Sequence, residues 1–327
     1  MFRYLIRRIL WACLLFVVIT FITFVIFYVG PNNPARAVCG GEQAKRECLV
    51  RATEKLGLDQ PMPVQYYKFM KQLVLHQDLG TSFATSQSVN QRIKEAAPVT
   101  ASLVFGGAVL WMILGLSIGI FSALKPRSLT DRFAMVFVLI GVSAHPVWIG
   151  LILEYTFGVK LGWTPIAGYA NFFGAASDSG QAGGPWQWFY HLILPWCTFA
   201  LLFAALYVRM IRANVMETMN EDYVRTARAK GAPERTVMRK HILRNAMLPL
   251  VTILGMDIGL ALGGAIFTET IYSLPGLGRT SVQALANYDI PTILGVIVFI
   301  TVIIIVFELL RMTRMKMMMP RKTKIDA

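Results

Sequence analysis

Six long apolar runs dominate the chain, and charged and polar residues cluster in the segments between them. The runs extend from Ile9 to Gly30, Thr100 to Leu124, Phe133 to Phe157, Leu192 to Ile211, Leu248 to Phe267 and Pro291 to Leu310. A hydrocarbon layer about 30 Å thick is crossed by about 20 helical residues, each rising about 1.5 Å, and every run meets that length. None alternates apolar and polar positions with a period of two, which excludes the lipid-facing strands of a barrel. The pattern predicts an all-α polytopic membrane protein with six transmembrane helices. Arg3, Arg7 and Arg8 precede the first run as they would in a secretory signal. Its apolar stretch, however, exceeds the roughly 7 to 15 residues of a signal, and no small-residue cleavage site follows Phe27, Tyr28 and Val29, so it is read as the first span.

The placement of Lys and Arg sets the expected orientation. With both termini cytoplasmic, 21 of the 32 Lys and Arg residues lie inside, and nine of the other 11 fall in one long outer loop, where the charge rule is weakest. The expected layout is then an amino-terminal segment with the first helix (1–30), a small external helical cap (31–99) and a five-helix core (100–327) with a cytoplasmic loop over 212–247. Within the cap, Val64 to Leu75 reads as a helix. Composition agrees: 55% of residues are hydrophobic and 15% charged, against roughly 25% charged in soluble domains. In a soluble protein the formal charge of +14 would suggest nucleic acid. Here the apolar content makes anionic membrane lipid the expected partner and argues against nucleic acid.

Candidate chemistry is sparse. Cys39 and Cys48 bracket the run CGGEQAKREC in the cap, where an oxidising exterior favours a disulfide. Metal binding is the weaker alternative, because no His or further Cys lies nearby. Cys13 and Cys197 read as packing residues. No grouping of Ser, His and acid and no metal-ligand cluster points to an enzyme. Asp257 lies near the centre of the fifth run, where an ionisable side chain is costly and counts as a functional candidate. Gly255, Gly259 and Gly263 form a small-residue stripe about 160° from it around the helix. If those glycines pack inward, Asp257 faces a pathway or a partner, either in an interhelical hydrogen bond or in contact with a substrate ammonium group. His145 before Pro146 reads as a kink, and Glu154 and Glu308 lie near span ends.

The most informative stretch is Met219 to Pro249. Asn220 is expected to cap a helix with Glu221 and Asp222 in its first turn and Arg228 and Lys230 in its last, as the helix dipole favours. Gly231 ends it, and Pro233 and Glu234 open a second helix with Arg239, Lys240 and Arg244 toward its far end. A helical hairpin results, which could also rest on anionic lipid.

ARAKG at 227 to 231, followed by KHILRNAMLPL at 240 to 250, resembles the cytoplasmic coupling loop of ABC-importer permeases of the dipeptide, oligopeptide and nickel branch, B-type subunit. The resemblance continues in LGLDQPMPVQYYKF at 56 to 69, DLGTSF at 78 to 83, LGWTPIAGY at 161 to 169, HLILP at 191 to 195 and GGAIFTETIYSLPGLGR at 263 to 279. The superfamily pattern Glu-Ala-Ala is replaced by Arg225, Thr226 and Ala227, and Leu248-Pro249 is set further on, as in the peptide branch. The ending ELLRMTRMKMMMPRKTK and the cap cysteines depart from the family.

The resemblance implies an importer subunit of a bacterial inner membrane. It would enclose the pathway with a second permease, be driven by two cytosolic ATPases that bind ATP and Mg, and receive peptide from an extracytoplasmic binding protein. Tyr223, Arg225, Ala227, Arg228, Ala229, Lys230 and Gly231 would form the ATPase-coupling surface. Glu269, Leu274, Pro275, Gly276, Leu277 and Gly278 would form a loop near the binding protein, with Leu274 and Leu277 as exposed apolar tips. No phosphate-binding GxxxxGK[ST] loop occurs in the chain, and PGLGRTS at 275 to 281 lacks its lysine and spacing, so no cofactor is expected on this chain. Nickel or haem as cargo, an ion-coupled secondary transporter and a membrane-anchored receptor or scaffold are the alternatives.

Overall fold

The computed structural model describes residues 2–29, 35, 39, 45–56, 60–173 and 183–318. In chain order the helices are α1 (Phe2–Val29), α2 (Arg46–Leu56), α3 (Met62–His76), α4 (Val89–Leu124), α5 (Leu129–Ser143), α6 (Pro146–Leu153), α7 (Pro185–Met219) and α8 (Asp222–Ala229). There follow α9 over 234–246, α10 (Leu248–Gly264), α11 (Ile266–Ile271), α12 (Leu277–Ala286) and α13 (Ile290–Met318). Among the described residues the only strand-like feature is an isolated bridge between Thr81 and Ser88. Contacts divide the chain into two units, one of Met1–Pro98 with Gly276–Ala327 and one of Val99–Pro275.

Among the described residues five helices are long and apolar enough to cross a membrane. They are longer than the apolar runs alone indicate: α4 begins at Val89, and α7 spans 35 residues with Pro195 inside it. The expected third span departs from a single helix. Its two halves, Leu129–Ser143 and Pro146–Lys160, meet at 106° and make a sixth crossing only if the bent pair counts as one. The cause is local. Pro146 lacks an N–H and disfavours helical backbone in the residue before it, and His145 sits at φ −70, ψ 134. Its ring Nδ1 accepts the freed Val147 N–H at 3.3 Å, so the histidine serves as an N-cap.

In the first unit, α1 runs along α13, and α3 lies against α1. The Tyr66 hydroxyl stands 2.9 Å from that of Thr20, and its ring meets Phe21 and Phe24 edge-on at 5.2 and 5.5 Å. Cys39 and Cys48 form the expected disulfide. A second anchor is Asp289, whose carboxylate is fully buried. It accepts hydrogen bonds from Ser82 Oγ, the Phe83 N–H, Thr292 Oγ1 and Arg92 Nη1 at 2.5, 2.9, 2.7 and 3.2 Å. A buried charge is tolerated when a cation and a full set of donors surround it. Leu277 closes the adjacent core with Val89, Ile93, Ala96 and Val296.

The second unit is organised on α7. Gly115 and Gly119 of α4 face Tyr207 and Ile211 of α7, four residues apart on both helices. A Cβ at Gly119 would stand 2.9 Å from Ile211 Cβ and 3.1 Å from the Val208 carbonyl oxygen. Small residues at this spacing let two backbones approach closely. On another side of α7, Val208 packs with Ala134 and Val138 of α5, and Ala205 fills the space beside Gly141. The Tyr272 hydroxyl lies 2.7 Å from Thr198 Oγ1 of α7 and donates to the Gly150 carbonyl of α6 at 3.2 Å.

On α10 the stripe Gly255, Gly259 and Gly263 forms no such contact at Gly263. Gly259 is buried, Gly255 half-buried and Gly263 exposed, and a Cβ on Gly263 would meet nothing within 4 Å. Spacing alone does not distinguish Gly119, which faces a ridge of α7, from Gly263, which faces open space. Gly119→Leu is therefore expected to lower stability by about 1 to 3 kcal/mol through overpacking, while Gly263→Ala leaves it within about 0.5 kcal/mol. Thermal unfolding in detergent checks the pair, and an unchanged melting temperature for Gly119→Leu would contradict this packing.

Candidate functional site

The stretch between α7 and α10 forms the expected hairpin, because its punctuation is local. The left-handed turn falls on Gly231, at φ 77, where a residue with a Cβ would be strained. Pro233 caps α9, whose middle, Val237–Leu243, is π-helical. Helix α8 starts one residue later than expected: Glu221 is its N-cap, whereas Asn220 ends α7 and donates from its side chain to the Met216 carbonyl at 3.0 Å. Met219 continues α7 to its last turn, leaving Asn220 in right-handed backbone at φ −92, ψ −5 rather than the extended form of a cap.

The hairpin is closed by its own contacts. Val224, Val237 and Ile242 are fully buried. Asn245 donates to the Tyr223 hydroxyl at 2.9 Å, and Arg228 pairs with Glu234 through Nε and Nη2 at 3.2 and 2.7 Å. Hydrogen bonding from Arg228 holds the Glu234 carboxyl below the usual carboxylate range and raises the Arg228 guanidinium in turn. The pair's contribution is therefore present above the ordinary carboxylate range and is lost as pH falls through Glu234's lowered value; exposure keeps it small. Tyr223, Arg225, Arg228, Ala229, Lys230 and Gly231 are exposed and Ala227 is half-buried, so the candidate coupling residues are accessible along α8 and its turn, from Tyr223 beside Asn245 at the root to Gly231 at the tip.

Its root is fixed by a feature that the apolar pattern conceals. Arg212, near the end of α7, forks onto both oxygens of Asp131 at 2.7 and 2.9 Å. Asp131 also accepts from Ser122 Oγ at 2.5 Å and the Arg127 N–H at 2.8 Å. The only sequence signal for this site is that charges of opposite sign, Asp131 and Arg212, stand near the ends of two largely apolar helices. The Asp289 cluster was similarly hidden, although DLGTSF at 78 to 83 supplies Ser82 and Phe83 to it.

The second candidate loop is corrected. Leu274 and Leu277 are 0% and 2% exposed, so neither is an apolar tip. Helix α12 begins at Leu277 and turns that side chain into the core with Val89 and Ile93. Leu274 follows a left-handed residue, Ser273 at φ 53, and its N–H returns to the Glu269 carbonyl at 2.9 Å. Gly276 and Gly278 are buried, and Pro275 is exposed. Glu269 is fully buried and accepts from Thr100 Oγ1 at 2.6 Å.

Asp257 is half-buried in the middle of α10, and its Oδ2 accepts the Tyr207 hydroxyl of α7 at 2.7 Å. Of the two roles open from sequence, the interhelical hydrogen bond is present. Among the described residues no group of three or more His, Cys, Asp or Glu side chains could hold a metal.

Comparison with known proteins now identifies this architecture. Residues 115–324 match the family described as the binding-protein-dependent transport system inner membrane component, and residues 1–104 match the amino-terminal region described for such membrane components. The dipeptide transport system permease protein DppB of Alkalihalophilus pseudofirmus is 35% identical over 318 residues, covering 94% of this chain and 95% of its own. A solved structure of an amino acid ABC transporter with histidines shares the fold, with a TM-score of 0.53 at 15% identity, covering 70% of this chain and 95% of its own. The chain therefore belongs to the binding-protein-dependent transport system inner membrane components, and is a multi-pass permease subunit of an ABC transporter.

Proposed function

We propose that this permease carries di- and oligopeptides inward, forming the pathway with a second permease of the same kind. The observation that carries the coupling scheme is the closed hairpin with Tyr223, Arg225, Ala227, Arg228, Ala229, Lys230 and Gly231 accessible along α8 and its turn. Two cytosolic ATPases, which bind ATP and Mg, grip that end. Their closure moves α8 and, through the fixed root at Arg212 and Asp131, the spans. Both termini and the hairpin lie in the cytoplasm. The Cys39–Cys48 disulfide supports an external position for residues 31–99, since such bonds persist in oxidising compartments.

Peptide as cargo is supported by the identity to a dipeptide permease along nearly the whole chain. A binding protein delivers it on the outer side. There the exposed Val282 and Leu285 of α12 offer an apolar contact that the buried Leu274 and Leu277 do not.

Gly231 separates two ways of breaking the hairpin. Its Cβ position opens onto free space, so a side chain there projects toward the ATPase instead of into the fold. Gly231→Trp is expected to reach the membrane at normal levels and lose more than about 90% of uptake, a cost of at least roughly 1.4 kcal/mol. Gly231→Asn, which tolerates left-handed backbone, keeps most of it. Uptake assays against membrane abundance test this, and normal transport by Gly231→Trp would contradict the coupling assignment. Purifying the complex with its binding protein and identifying the bound ligand by native mass spectrometry tests the cargo. A peptide is expected; nickel or haem would overturn that reading.

A further inference from the structure

Three aspartates of this chain lie in or beside apolar helices, and two of them are fully neutralised. Asp131 has the Arg212 fork, a hydroxyl and a backbone N–H; Asp289 has Arg92, two hydroxyls and a backbone N–H. Asp257 has one neutral donor, Tyr207. Among the described residues no cation stands within ion-pair distance of it, and its Oδ1 accepts no hydrogen bond. A carboxylate at that depth is costly unless a cation or water completes it.

The donor it does have is closely packed. Tyr207 is 1% exposed and stands in a column with Trp111 and Phe203, the ring of Trp111 lying 4.5 Å from Phe203 and 6.1 Å from Tyr207. Gly115 backs the Tyr207 Cβ. The hydroxyl is thus aimed from a rigid wall, and the carboxylate it holds borders the open side of α10, where Met256 and Leu260 are exposed and Gly263 faces free space.

We propose that Asp257, oriented by Tyr207, receives the α-ammonium group of a peptide in transit; the assignment rests on the peptide reading given above. The chemistry selects a singly charged cation with several N–H donors. One carboxylate oxygen remains to pair with it, and an ammonium carries three hydrogens to share between that oxygen and nearby water. A divalent metal would need a fuller ligand set, which the described residues do not offer here. The contact has one partner and one free approach, so it can form and release, as passage requires.

Asp257→Asn keeps an oxygen for the Tyr207 hydroxyl and removes only the charge. In proteoliposomes containing the whole transporter and its binding protein, uptake of a zwitterionic dipeptide such as alanyl-alanine is expected to fall about ten-fold per assembled complex. Asp257→Glu is expected to retain most of it, and the second permease to copurify undiminished with both variants. Unchanged uptake by Asp257→Asn overturns the site while leaving the peptide reading intact. Reduced copurification of the second permease with Asp257→Asn overturns it too, because the carboxylate then pairs with a cation on that subunit. Absence of dipeptide uptake by the unaltered complex removes the peptide reading and this site with it.

Discussion

The fork of Arg212 on Asp131 fixes the helix on which the rest of the second unit depends. In an apolar bundle an isolated carboxylate is expensive, and a pair repays its desolvation only with good geometry and every remaining lone pair satisfied. Here both conditions hold, since Ser122 and the Arg127 N–H complete the carboxylate. The pair joins the end of α7 to the turn between α4 and α5 at one point. One helical turn or so away, Tyr207 and Ile211 seat on Gly115 and Gly119, so the same helix is locked by charge at its end and by close packing along its length. α7 then leads within a few residues into α8.

That sequence of contacts gives the proposed coupling a physical route. A hairpin that rested on lipid alone could swing without consequence. In this one Val224, Val237 and Ile242 are buried, and its root is tied to α4 and α5 through one arginine. Force applied at Ala229 or Gly231 therefore reaches α4 and α5 through rigid connections. The π-helical stretch at Val237–Leu243 adds a residue to a turn just before the chain re-enters α10, the kind of irregularity that recurs at functional sites.

What the sequence disclosed follows the range of the interactions concerned. Apolar runs fix the spans because hydrocarbon demands length, and Gly231 and Pro233 fix the hairpin because their constraints are confined to their own backbone. The cap disulfide was legible for the same reason, its cysteines standing at a sequence separation of 9. The break at His145 and Pro146 was legible as a kink but not as a 106° turn, since a proline removes a hydrogen bond without dictating where the chain goes next. Leu274 and Leu277 were misplaced because apolar residues beside glycines suggest a loop tip; the burial of Leu277 depends on where α12 begins and on Val89 and Ile93, far earlier in the sequence. Gly119 of α4 and Gly263 of α10 belong to stripes of the same spacing, and only what faces each glycine decides whether it packs. Asp131 and Asp289 were invisible for a related reason: their partners lie 81 and 197 residues away.

On the scheme proposed, this chain forms half of a pathway powered by separate ATPases. The most direct test of that scheme is labelled-dipeptide uptake into proteoliposomes that contain this chain, the second permease, the ATPases and the binding protein. The account predicts uptake that requires ATP and loaded binding protein together and is indifferent to ion gradients. Uptake that persists without the ATPases and follows an imposed proton or sodium gradient would contradict it.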